Sequence, residues 1–150
     1  MLSAYSAESL NSFFNNELTF TQISLNKLND SFDESSGVLS RNEDNSVKIE
    51  IIEPFNEIYL ISKKGIEIHD LEFNQTKVIN KTELENNVMF NFINNGFSQE
   101  LSSIKEINGS SFVVEENNKS FYFEFINEKV LHIKYKDNMN IENLIRFYKK

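Results

Sequence analysis

Three runs in this chain read as β-strands that are apolar on both faces: V-K-I-E-I-I at Val47–Ile52, E-I-Y-L-I at Glu57–Ile61, and F-Y-F-E-F-I at Phe121–Ile126. A strand that buries only one face alternates apolar with polar residues. Here Phe121, Phe123 and Phe125 form one apolar row, while Tyr122 and Ile126 add apolar surface opposite it. Only two helix-like segments are available to cover such a sheet. The excess predicts an apolar concavity that something other than the chain's own helices fills.

The rest of the chain is organised around these strands. Ala4, Ala7, Leu10 and Phe14 recur at spacings of three to four, predicting an amphipathic helix over Ser3–Asn15. Strands are expected at Leu18–Leu25, Phe32–Arg41, Val47–Glu53, Glu57–Ser62, Ile66–Leu71 and Gln75–Asn80. Asn42–Ser46, Pro54 and Lys63-Lys64-Gly65 punctuate them as turns. Thr82–Glu85 (T-E-L-E) has the spacing of a capping box. Leu84, Val88 and Phe92 continue an apolar face as far as Asn94-Asn95-Gly96, predicting a second helix. Five further strands follow, at Ile104–Ile107, Ser111–Glu116, Lys119–Asn127, Val130–Lys136 and Ile141–Phe147. No repeat or linker interrupts them, so a single domain over residues 1–150 is expected. The fold class is α+β, a strongly bent antiparallel sheet with two helices. Both Ile58/Leu60 and Tyr59/Ile61 remain open as the inward pair of Glu57–Ser62.

Composition narrows the function. With 150 residues, 39% hydrophobic and 25% charged, the chain can build a real core. A net charge of −8 opposes a basic patch for nucleic acid or for an anionic membrane surface. Without cysteine there is no disulfide and no thiolate chemistry. No run is long enough to span a membrane, and the first ten residues lack the basic start and apolar stretch of a signal peptide. His69 and His132 fall on different strands, and no G-x-S-x-G elbow or phosphate-binding glycine loop is present. His132, on the polar side of Val130–Lys136, reads as a surface residue. No set of ligands converges on a metal, so a non-enzymatic protein without cofactor or metal is expected.

Several local strings, in order, resemble the outer-membrane lipoprotein carrier protein family (LolA). Phe20-Thr21-Gln22 is similar to the F-x-Q that opens the family's first strand. Gly37-x-Leu39, Val47-Lys48-Ile49 and Pro54 follow the family's G-x-L… F-[RN]-W…P. Ser62-Lys63-Lys64-Gly65 resembles its S-D-G turn, and Asp70–Gln75 its D-P-D-L-x-Q. Lys136-Asp137 followed by Ile141–Phe147 is similar to its late hairpin. The departures are Ile49 at the family's tryptophan, Glu43-Asp44 at its R-P dipeptide, and an end at Lys150 soon after the last strand.

The resemblance implies a half-open sheet, an incomplete β-barrel, with helices forming a lid over an apolar cavity. The cavity would receive lipoprotein acyl chains on Val47, Ile49, Ile51, Phe121, Phe123, Phe125, Leu131, Ile133 and Tyr135 from the strands. Leu10, Phe14, Val88 and Phe92 would contribute from the helices. Arg41, two residues before the family's arginine position and on the same strand face, would be the lid latch. The implied partners are acylated lipoproteins, an inner-membrane ABC lipoprotein-releasing complex and an outer-membrane acceptor lipoprotein. The implied state is a periplasmic monomer with its signal peptide removed. The alternatives are a sensor or protein-binding module of the same fold, and an enzyme or carrier acting on another hydrophobic ligand.

Overall fold

The first and last strands pair with each other, and that pairing sets the topology. The computed structural model describes residues 7–26, 30–84, 90, 94, 104–116, 119–136 and 140–150. In chain order it contains helix α1 (Ala7–Phe13), then β1 (Leu18–Asn26), β2 (Ser31–Arg41), β3 (Val47–Glu53), β4 (Glu57–Ser62), β5 (Gly65–Asp70) and β6 (Gln75–Asn80). A 3-10 turn at Lys81–Leu84 follows. Then come β7 (Ile104–Asn108), β8 (Ser111–Glu116), β9 (Lys119–Asn127), β10 (Val130–Lys136) and β11 (Glu142–Lys149). All eleven strands form one antiparallel sheet in the order β6-β5-β4-β3-β2-β1-β11-β10-β9-β8-β7. Two meanders thus lie side by side, joined by β1 against β11, with β6 and β7 as unpaired edges.

Register sorts the side chains onto two faces, because alternate residues of a strand point to opposite sides. One row runs Ile51, Gly37, Phe20, Phe147, Leu131, Phe125 across six strands. The next row on the same face runs Gln22, Ile145, Ile133, Phe123, Phe112. The buried residues of these rows, with Leu10 and Phe13 of α1 and Phe14 just beyond it, belong to a single core. Phe13 meets Phe125 and Phe14 meets Phe147 edge-on, with ring centroids 5.8 and 5.1 Å apart. The register also decides β4: Ile61 pairs with Val47 and is buried, so Tyr59 and Ile61 point inward.

The expected α+β class with a helical lid is not what forms. The molecule is an open sheet of eleven strands, and α1 is the one α-helix described over a continuous span. α1 ends early because Asn16 turns back on it, its Nδ2 donating to the carbonyls of Ser12 and Phe13. The start of the second helix expected from Thr82 forms a 3-10 turn, while Phe90 and Asn94 further along it are α-helical. Lys81 N–H still donates to Lys64 O at 3.0 Å, so the chain stays tied to the β4–β5 turn at the point where a helix cap was read. That turn tightens and buries Leu84. The remainder of that predicted helix, apart from Phe90 and Asn94, lies outside the described residues.

Gly37 is required by a close approach. It sits at a bulge where β2 meets β3, and a Cβ there would lie 2.0 Å from the Glu50 carbonyl oxygen and 2.9 Å from the Phe20 ring. Gly37→Ala is therefore expected to destabilise the fold by about 1–3 kcal/mol. At this chain length that is roughly 2–4 °C in Tm per kcal/mol. Thermal denaturation reads it directly, and an unchanged Tm would show that the bulge relaxes without cost.

Candidate functional site

The structure brings the predicted apolar residues to one face but divides them by depth. Leu10, Phe14, Val47, Phe121, Phe123, Phe125, Leu131 and Ile133 are all buried in the core. Phe123, Leu131 and Ile133 are 0% exposed, so they support the sheet and do not line an open surface. Ile49, Ile51 and Tyr135 are half-buried against that core and form its accessible margin. Val88 and Phe92 lie outside the described residues. Sequence reasoning passed over Phe13, Leu18, Phe20, Leu39, Phe112, Val114 and Phe147, which complete the same core. The alternation of Leu18, Phe20 and Gln22 in β1 was the available signal for the first strand.

A polar corner on this face was also missed. Ser24, Asn143 and Tyr135 occupy one row across β1, β11 and β10, with Gln22 in the row beside it. Gln22 Nε2 donates to Asn143 Oδ1 at 3.1 Å and to Tyr135 Oη at 3.3 Å. Ser24 Oγ also donates to Asn143 Oδ1, and Asn143 Nδ2 donates to the Ile141 carbonyl. Asn143 is buried, so these bonds offset its desolvation. Tyr135 stacks on Phe121 at 5.4 Å, so the polar corner abuts the apolar row directly. These four groups are amides and hydroxyls. None has an ordinary pKa near neutrality, and as a set they bind polar atoms and offer no general base.

Arg41 stands at the end of β2, opposite Val47, and its Nη1 donates to the Asn45 carbonyl at 3.0 Å. That bond braces the β2–β3 turn. Burial pulls the Arg41 guanidinium below its ordinary value. Tyr59, on the inward side of β4, is raised first by burial, then by the charge and hydrogen bond of Glu57.

The opposite face carries the open space. A hollow of about 1250 Å³ lies along β9, β10, β11, β1 and β2, and at the end of the sheet it reaches Tyr135 and Asn143 of the polar corner. Ile23, Leu25, Phe32 and Leu144 give it an apolar floor, and Lys119, Lys134, Lys136 and Arg146 line its other flank together with Glu34 and Glu142. A smaller hollow, about 480 Å³, opens over Ile58, Leu60 and His69. His69 is held there by Thr76 Oγ1 at 3.1 Å and Glu67 at 3.4 Å. Among the described residues no group of three or more His, Asp or Glu is placed to hold a metal ion. None of their helices is long and apolar enough to cross a membrane. No protein-family model matches this chain, and no curated protein matches its sequence.

His132 reports on the cationic flank. It pairs across β10–β11 with Arg146, and its pKa falls below 6.5 through burial first, then through the charges of Arg146 and Lys134, against a raising contribution from Glu124. The unfolded chain therefore binds this proton first. The residue withdraws stability as pH drops below the ordinary 6.5, and contributes no loss above it. NMR titration of the His132 ring should give a midpoint below 6.5 that rises in Arg146→Met, where apolar bulk is kept and the charge is gone. An unchanged midpoint in that variant would leave burial and the Lys134 charge as the causes.

Proposed function

We propose that this protein is a carrier that shields the acyl chains of lipoproteins against the apolar face of its sheet. It would work in the periplasm as a monomer, taking cargo from an inner-membrane ABC lipoprotein-releasing complex and giving it to an outer-membrane acceptor lipoprotein. The observation that carries this reading is the margin of the core. Ile49, Ile51, Ile66, Ile79, Tyr135 and Ile145 pack on the buried cluster yet stay partly exposed, on a sheet whose edges do not close. The ordered strings shared with the lipoprotein carriers support the same reading. So does the negative net charge, which keeps the loaded protein off anionic headgroups.

The energetics suit a shuttle. Each acyl CH₂ kept from water contributes roughly 0.8 kcal/mol. A partly exposed apolar margin recovers only part of that, so binding stays reversible. Handover then requires only a modest difference in affinity between carrier and acceptor. No bond is made or broken.

Native mass spectrometry of the protein co-expressed with a triacylated lipoprotein tests this reading. The expected result is a one-to-one complex that disappears when the cargo lacks acyl chains. Ile51→Glu places a charge on the accessible margin and should abolish the complex while circular dichroism stays native. Phe123→Glu is expected to unfold the protein. Its packing loss of about 3–5 kcal/mol, added to a buried charge, approaches the about 5–15 kcal/mol that holds a typical domain. A folded wild-type protein that forms no such complex overturns the proposal.

A further inference from the structure

The hollow on the face opposite the core has a built-in polarity. Its row Glu34, Ile23, Leu144, Lys134 crosses β2, β1, β11 and β10. Leu25 and Phe32 extend the apolar part at the β1–β2 end, and Phe32 is 67% exposed. Lys136 and Arg146 extend the cationic part at the β10–β11 end. The hollow is therefore mainly apolar at one end, where Glu34 flanks Ile23, and at the other holds three cations against the single carboxylate of Glu142.

Three of its cations, Lys134, Lys136 and Arg146, are open to a ligand. Among the described residues no ion pair engages Lys134, Lys136 or Arg146, although Glu142 is the cross-strand neighbour of Lys136. Arg146 Nε is buried without a hydrogen-bond partner. On a chain with net charge −8, these unpaired cations are a local exception, and they define where an anion is drawn.

We infer that this hollow binds a single-chain anionic amphiphile, a long-chain fatty acid carboxylate, with its headgroup on Lys134, Lys136 and Arg146 and its chain along Leu144, Ile23, Leu25 and Phe32. The dimensions agree. Three strand spacings from β10 to β2 cover about 14 Å, and one acyl chain is about 15 Å long, half of a bilayer's hydrocarbon core. A peptide fits poorly. β10, β11, β1 and β2 are each paired on both sides, so the sheet offers no free backbone ladder to an added strand. Recognition must come from side chains alone, and these supply charge and apolar area. The apolar floor of this site lies on the face opposite the carrier margin, and Tyr135, at the end of the sheet, borders both.

Isothermal titration calorimetry of the full chain with laurate tests the inference, with dodecanol and dodecyltrimethylammonium as probes of equal chain length. Laurate should bind saturably at one site, and both analogues at least about tenfold more weakly. Lys134→Glu and Arg146→Met should each weaken laurate about tenfold or more. Both replace groups outside the core, so folding, checked by circular dichroism, is retained. Ile51→Glu should leave laurate affinity unchanged, which separates this site from the lipoprotein-binding margin. Three results would each overturn it: no saturable binding to folded protein, dodecanol binding as tightly as laurate, or laurate affinity indifferent to both charge variants.

Discussion

The ladder between β1 and β11 is the interaction on which the rest depends. It pairs Leu18 with Lys149 through to Ser24 with Asn143, joining residues from the two ends of the chain at the centre of the sheet. The other strand pairs join elements adjacent in sequence. With β1 and β11 central, β6 and β7 are driven to opposite edges although they follow one another along the chain. The connection from Asn80 to Ile104 must therefore pass from one edge to the other. Leu84 and Phe90, both in that connection, are buried in the same core as Phe123 and Leu131. Bringing β1 and β11 together closes nearly the whole chain on itself, an entropic cost that the pairs between neighbouring strands do not carry.

The same ladder assigns chemistry to the two faces. On one side it aligns Phe20 with Phe147 and Gln22 with Ile145, linking the apolar rows of the two meanders. On the other it aligns Ile23 with Leu144 and Thr21 with Arg146, bringing the aliphatic end of β1 beside the cations of β10 and β11. A slip of one residue would exchange these sets. Gly37 is bound up with the same registration, because only a residue without Cβ lets β2 bend past Glu50 beneath the Phe20 ring.

Strands were the legible part of this sequence. Val47–Glu53, Glu57–Ser62, Gln75–Asn80, Ser111–Glu116, Lys119–Asn127 and Val130–Lys136 form with the expected bounds, and the others within a residue or two. Their signal is local: alternation, β-branched residues, and turns rich in Asn, Gly and Lys. The helix read from Thr82 opens instead as a 3-10 turn because its capping box is also local, whereas the bond from Lys81 to Lys64 that holds the chain there is tertiary. The inward side of β4 was illegible for a related reason. Ile58, Tyr59, Leu60 and Ile61 are all apolar, and only pairing with β3 selects between them. The hollow opposite the core had no signature at all. Its floor joins Ile23 and Phe32 to Leu144, and its cations sit on strands that no local pattern places beside β1.

Coverage by α1 also explains where the apolar face stays accessible. Its Phe13, and Phe14 just beyond it, pack on Phe125 of β9 and Phe147 of β11, in the same core as the fully buried Phe123, Leu131 and Ile133. A seven-residue helix shields only a few strands. Further along the sheet, on β3, β5 and β6, Ile49, Ile51, Ile66 and Ile79 are left partly exposed. Every Å² of that surface left in water costs about 25 cal/mol relative to burial. The wing from β3 to β6 is therefore where an apolar ligand gains most on binding. On this face the fully buried residues of β9 and β10 are already satisfied by the chain itself, so substitutions of Phe123, Leu131 or Ile133 read out as stability, and substitutions on the wing as affinity.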